Sequence, residues 1–182
     1  MLEFRNLGTP DEVRTFPHGR VEIVRLSGLT LGRATLEPGW RWSQDIKPIV
    51  NTDSCEVPHS SVVLSGRLHV RMDDGGEADL GAGDAHRVGP GHDGWVVGDE
   101  PCVVIDVLGA EAYATNGAAA ESVRSVTCPP CGVTFSVAPS VSVDHLVAAV
   151  QEHARVSHGA ELTREQILED VTTVAPALAV KA

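Results

Sequence analysis

Aromatic residues are scarce in this chain, 4% of 182 residues, with three Trp, three Phe and one Tyr. Its core must therefore come mainly from aliphatic side chains. Lysine is scarce too, 2 of the 14 basic residues, a usage that suggests a GC-rich bacterial genome. Basic charge as a whole is short. The formal net charge is −11, with acid in excess in both halves of the chain. That excludes nucleic acid as an expected partner, because affinity for phosphates rests on Lys and Arg neutralising them. No apolar run approaches the ~18 residues of a membrane helix, so no membrane partner is expected. The start, Met1-Leu2-Glu3-Phe4-Arg5, lacks a basic region followed by an apolar core, so the expected location is cytoplasmic. Four cysteines in such a chain argue against a disulfide framework.

What the chain has in quantity is glycine (18) and proline (11), which suit short strands and turns. Val21 to Leu26 alternates as a strand, Ser27-Gly28 turns, and Leu29 to Leu36 resumes. After Pro38-Gly39, Trp40-Arg41-Trp42 is expected to put two indoles on one face of a strand. Residues 44–54 are polar and broken by Pro48, which predicts an irregular insertion. Ser60 to Leu64 is apolar and β-branched, Gly66 turns, and Leu68, Val70 and Met72 then alternate with Arg67, His69 and Arg71. His69 is expected to be solvated. Further short strands are predicted at 78–80, 85–88, 95–97 and 102–108. Eight to ten short strands without a convincing helix suggest a sandwich or small barrel, and a barrel of that size can enclose one small ligand.

The combination of Pro38-Gly39, Val62-Val63-Leu64-Ser65-Gly66-Arg67-Leu68-His69-Val70, Gly83-Asp84 and Pro90-Gly91-His92 resembles the cupin family over about residues 20–110. The resemblance implies a mainly β, double-stranded β-helix (jelly-roll) barrel that holds a metal on its inner face. It departs from the family at the ligands. His59 occupies the position of the family's glutamate, with six residues between it and Gly66. The family's histidine pair falls on Asp45 and Lys47, and its later histidine on Gly94. The implied set is therefore a modified one: His59 and His92, completed by Cys55, His86 or Asp45. Imidazole with thiolate suits zinc or copper, and imidazole with carboxylate suits iron or manganese. Trp40, Trp42, Ser61 and Trp95 are the expected walls of a substrate pocket.

Residues 111–124 read as an Ala-rich linker between a barrel at 1–110 and a second domain at 125–182. In that domain Cys128-Pro129-Pro130-Cys131 is followed by His153 and His158, a C-x2-C and H-x4-H spacing of the four-ligand zinc type. The 21 residues between Cys131 and His153 exceed the ~12 of a DNA-reading finger. Leu146, Ala149, Val150, His153 and Ala154 follow a helical period, with Gly159 as its stop. Thr163 and Gln166 make a capping-box spacing for a second helix. The segment from Glu152 to Thr163 also resembles a short, uncharacterised bacterial Cys/His domain. A compact, mainly helical Cys/His domain with a structural zinc is expected.

Each assignment has a plain structural counterpart. His59 can be a hydrogen-bonded barrel histidine, His92 a loop cap, and His86 and Cys55 core residues. The tryptophans can be core, and the C-terminal four a helical hairpin with free thiols. Three functions follow: a metal enzyme acting on a small organic substrate, a small-molecule sensor or binding module, or a homodimeric barrel with no metal. A homodimer is the expected assembly.

Overall fold

The computed structural model describes residues 2–115, 123–137 and 141–174. The first three strands form a meander: β1 (Glu12–Phe16), β2 (Gly19–Leu26) and β3 (Leu29–Leu36). β2 and β3 pair along their full length, from Gly19 opposite Leu36 to Leu26 opposite Leu29. Val21 and Ile23 are buried on the inner face of β2, while Glu22 lies between Arg20 and Arg33 on the outer one. Two short helices follow, α1 (Trp42–Asp45) and α2 (Lys47–Val50). Then come β4 (His59–Ser65), β5 (Arg67–Met72), β6 (Glu77–Gly81), β7 (Ala85–Val88), β8 (His92–Val96) and β9 (Cys102–Asp106). The C-terminal elements are β10 (Val123–Thr127), β11 (Thr134–Val137), α3 (Val143–His158), α4 (Arg164–Glu169) and β12 (Thr172–Val174).

The protein is mainly β, with one large sheet. Nine strands run in the order β12-β10-β11-β1-β2-β3-β9-β4-β7, and three more form a small sheet, β6-β5-β8. All strand neighbours are antiparallel except β1 and β11. The two sheets face each other, and their inner faces enclose a cavity of about 80 Å³. No ladder of described strands joins them, so the closed barrel expected from the sequence takes the form of two facing sheets.

Gly66 makes that arrangement possible. Its φ is +72°, and a Cβ there would lie 2.3 Å from the carbonyl oxygen of Pro101. The turn does not fold β4 back onto β5. It carries the chain from the large sheet to the small one, so the expected pairing within 59–72 is replaced by β4 with β7 and β9, and β5 with β6 and β8. The Trp40-Arg41-Trp42 strand is also absent. Arg41 makes a single bridge to Trp95, and Trp42 opens α1. The irregular insertion at 44–54 holds the second half of α1 and all of α2, the latter started by Pro48 and ended by Asn51 at φ +57°.

The C-terminal segment has the two expected helices and, in addition, three strands. β11 pairs parallel with β1 and so continues the large sheet. Ser142 caps α3, Gly159 ends it at φ +61°, and Leu146, Val147, Val150 and Ala154 are its buried stripe. Thr163 and Gln166 form the capping box of α4. Of the expected linker, 116–122 lies outside the described residues. Its beginning is tied down: the Arg14 guanidinium donates to the carbonyls of Ala110, Glu111 and Tyr113 at 3.3, 2.9 and 2.8 Å. No helix among the described residues is long and apolar enough to cross a membrane.

Candidate metal centres

Cys55, His59 and His92 meet inside the sandwich, with ligand atoms all within 4.8 Å of one another. Three local features bring them there. Cys55 bridges to His92, its N–H donating to the His92 carbonyl at 2.8 Å and its own carbonyl accepting from Gly91. His59 opens β4 opposite Val88 of β7. His92 opens β8, whose inner face carries His92, Gly94 and Val96. The group thus draws on both sheets.

Each imidazole has one nitrogen committed. His59 Nδ1–H donates to Asp106 Oδ2 at 2.5 Å, and His92 Nδ1–H donates to the Gly89 carbonyl at 2.7 Å. Both Nε2 atoms are then turned toward the Cys55 thiol, where a metal would displace the proton or hydrogen bond they carry, as in metal-bound histidines held by an outer partner. His59 Nε2 lies 3.6 Å from Cys55 Sγ, and the two rings stand edge to face at 5.4 Å. Asp106 is itself fixed, with Oδ1 accepting from the backbone N–H groups of Leu108 and Gly109 at 2.9 and 3.0 Å. Gly109 is required beside this pair: a Cβ there would lie 2.6 Å from His59 Nδ1 and 2.8 Å from Asp106 Oδ2. Tyr113 sets its ring edge against His59 at 5.6 Å.

Electrostatics follow the contacts. Burial works to raise the Cys55 thiol, but hydrogen bonding to His59 and His92 outweighs it and brings the pKa down to about 7. Burial works to lower His59, but Asp106 and Cys55 together raise it to about 9. Burial keeps the Tyr113 phenol well above its ordinary range. His86 is lowered by burial and by the neighbouring His59 charge.

The other expected site residues are placed as follows. Trp40, Trp42, Ser61 and His86 line the cavity, but His86 falls outside the Cys55–His59–His92 group. Asp45 falls outside it too. Its Oδ1 faces His18 Nδ1 at 3.1 Å and its Oδ2 accepts from the Arg41 backbone at 2.9 Å, so one oxygen meets the β1–β2 turn and the other the start of α1. Trp95 is not a cavity wall. Alternation along β8 turns it outward, where it stacks on His69 at 4.2 Å beneath the guanidinium of Arg41. His69 is accordingly packed rather than solvated, with Nδ1 at 2.9 Å from Asp79.

Asp106, Gly109 and Tyr113 were not singled out in the sequence. Asp106 left a signal, being the one acid in the apolar run from Cys102 to Leu108. Tyr113 left none, since it sits in what reads as a linker.

The C-terminal group is Cys128, Cys131, His153 and His158. Cys128 Sγ lies 3.3 Å from His158 Nε2, Cys131 Sγ 3.3 Å from His153 Nε2, and the two Nε2 atoms are 3.2 Å apart. Zinc bonds of about 2.0–2.3 Å give tetrahedral ligand separations of roughly 3.3–3.8 Å, so the donor set fits zinc. A tight knuckle presents the thiols: the Cys128 N–H donates to the Val133 carbonyl, and the Gly132 N–H to Cys128, with Gly132 at φ +75°. The last turns of α3 present the imidazoles. With Nε2 as the ligand atom, His153 Nδ1–H donates to Ser157 Oγ at 3.3 Å. The 21-residue spacing is filled by β11 and the first part of α3.

No family model and no curated protein matches the chain. Among solved structures, it is similar to a protein of unknown function from Rhizobium leguminosarum, with 20% identity and a TM-score of 0.42 over 59% of this chain and 95% of that one. It is also similar to the polyketide cyclase RemF of Streptomyces resistomycificus, at 17% identity and a TM-score of 0.43 over 59% of this chain and 79% of that one. KdgF from Halomonas sp. is similar at 20% identity and a TM-score of 0.38, over 52% and 80% of the two chains. Likeness of this size carries no argument about chemistry, and the site stands on its own geometry.

Proposed function

We propose that this protein binds a small organic molecule at a metal held by Cys55, His59 and His92 inside a cupin-like β-sandwich. A second ion, zinc, would serve structure at Cys128, Cys131, His153 and His158. The observation that carries the reading is the state of the two interior imidazoles. Asp106 and Gly89 hold their Nδ1 atoms and leave both Nε2 atoms, beside one thiol, as the atoms a metal would take. A buried histidine that served packing alone would need neither the second ring nor the sulfur. The donor set, two nitrogens and one sulfur with no carboxylate, favours zinc or copper over iron or manganese.

Three protein ligands leave a tetrahedral ion one position for a guest, and an ion there would supply Lewis-acid chemistry. The chain's own residues do the rest. Asp106 and Gly109 fix His59, while Ala34, Leu36, Trp40, Val88 and Val104 line the cavity with apolar surface. Cavity size limits the guest. A single water takes roughly 10–15 Å³ by a comparable measure, so about 80 Å³ holds a few waters or a small organic molecule.

Metal analysis of untagged protein tests the reading. Two ions per chain are expected, falling to one in His59→Ala and to one in Cys131→Ser. A single ion that survives His59→Ala overturns the interior site. A single ion lost in His59→Ala overturns the C-terminal one.

The file Cys55–His59–Asp106 favours a second reading, a nucleophilic thiol with its base and an orienting carboxylate. It predicts rapid, stoichiometric alkylation of Cys55 by iodoacetamide in protein purified without chelator. The metal reading predicts alkylation only after chelation, and the presence of His92 at the sulfur favours it.

A further inference from the structure

Two side chains on the cavity wall carry a buried nitrogen with no hydrogen-bond partner: Trp40 Nε1 and His86 Nδ1. Neither belongs to the metal group. Trp40 is 4% exposed, and its indole N–H can only donate. A buried polar atom left without a partner is costly, about 1–3 kcal/mol, so such atoms mark a place where something else supplies the bond. Only one other donor or acceptor left in that state is found among the described residues, His69 Nε2, and it lies on the outer face of the small sheet against Trp95. The two interior ones therefore share one cavity and one explanation.

The remaining lining says what kind of group that is. The wall is largely aliphatic, including Val21, Ala34, Leu36 and Val104, and no Lys or Arg among the described residues lines it. Asp106, the one carboxylate on the wall, is already paired with His59. A charged guest would lose its hydration and find no side-chain counter-ion outside the metal group. A hydrocarbon would leave both nitrogens unpaired. We propose that the guest is a small, uncharged organic molecule whose oxygen is taken up by Trp40 Nε1 and His86 Nδ1 while its apolar body lies on the aliphatic wall. This rests on the reading of the cavity as a ligand site, and it makes Trp40 and His86 residues that decide which ligands enter.

The test uses the full chain labelled with 15N at its three indoles, with 2-butanone as probe and propanoate as its charged counterpart of equal heavy-atom count. Single Trp→Phe variants assign the indole signals. The expected result is a saturable shift of the Trp40 signal with 2-butanone, none with propanoate, and an unmoved Trp95 signal. Probe affinity, read from the relaxation of its methyl groups, should fall about three- to tenfold in Trp40→Phe and in His86→Phe, the loss of one hydrogen bond. His86→Gln, which keeps a hydrogen-bonding group, should recover part of it. Equal binding of propanoate, a Trp40 signal that does not move, or unchanged affinity in both Phe variants overturns the proposal and leaves the two nitrogens to ordered water. Metal content measured on the same samples separates this from the metal reading. A Trp40 response in protein with no interior ion sinks that reading and not this one, and an interior ion with no Trp40 response does the reverse.

Discussion

The two Cys/His groups differ in who positions them. The interior group is built on strands of both sheets, and each of its imidazoles is oriented by an acceptor that belongs to the fold, Asp106 or Gly89. It has three ligands and opens on a cavity. The C-terminal group sits on a knuckle and a helix end, has four candidate ligands, and is exposed at Cys131, with Ser157 beside His153 as its one outer partner among the described residues. Four ligands close a coordination shell, whereas three leave it open. In the proposed reading the contrast is a division of labour: at the C-terminus a metal would organise the chain, and in the interior the chain would organise the metal.

The sharpest way to break that contrast is Cys131→Ser. Structural zinc contributes an apparent binding free energy on the order of 10–16 kcal/mol in small domains. Loss of the ion should therefore cost the C-terminal segment most of its order. Hydrogen exchange is expected to show amides of β10, β11 and α3 losing orders of magnitude in protection, while β2 and β3 keep theirs. If α3 stays protected, its stripe of Leu146, Val147 and Val150 holds the segment without metal, and the contrast fails.

Asp106→Asn comes next in size. An outer partner of a metal-bound histidine is worth about 10–100-fold in metal affinity. Competition with a chelator should show the interior ion weakened by that factor and the C-terminal ion unchanged. Equal weakening of both would mean that the two sites are coupled through the sheet.

How much of this could be read from residues alone follows the same division. The C-terminal ligands were legible because they lie in two local units, C-x2-C and a helix end, whose spacing fixes their geometry. The capping box and the Gly159 stop are likewise local. Interior ligands depend on which strands face each other, and period-2 alternation does not say whether the turn at Gly66 folds a strand back or carries it across. It carries it across, because the left-handed glycine packs against Pro101, far off in the sequence. Trp95 was misplaced for a related reason: proximity to His92 in sequence says nothing about the face of β8 it occupies. Asp106 and Tyr113 reach His59 from 47 and 54 positions away, beyond any local pattern.

His59 and His153 should also respond to pH with opposite sign once metal is removed. His59 is raised to about 9 by its partners, after burial has worked against it. Its contribution to stability is full below its ordinary 6.5 and is lost as pH rises through 9. Cys55, lowered to about 7, contributes in the other direction: its share is present above the ordinary thiol value and is lost as pH falls through 7. The two offset each other between 7 and 9. In chelated Asp106→Asn, which removes the largest of the contacts that raise His59, the loss of urea midpoint as pH rises toward 9 should shrink relative to the parent. His153 is lowered by burial and by His158, so its share is present above 6.5 and is lost as pH falls through its folded value. Chelated His153→Asn should then lose less stability than the parent between pH 6.5 and 5.

The smallest expected effect belongs to Trp95→Ala, and it sharpens the contrast because it separates the cavity from the outer face. Trp95 stacks on His69 and lies under Arg41, whose guanidinium is already held by Asp93 at 2.7 Å. Removing the indole forfeits the stacking and the cation contact, each worth about 0.5–1.5 kcal/mol at a partly exposed position. His69 keeps Asp79, and Arg41 keeps Asp93, so β5 and β8 hold their register. The urea midpoint should shift by that small amount, and metal content and 2-butanone affinity should not change. Trp40→Phe, on the inner face, should do the reverse, with a lowered probe affinity and both ions retained. If Trp95→Ala instead lowers affinity, the outer face of the small sheet communicates with the cavity through β8, and the interior would depend on the protein surface more than its geometry implies.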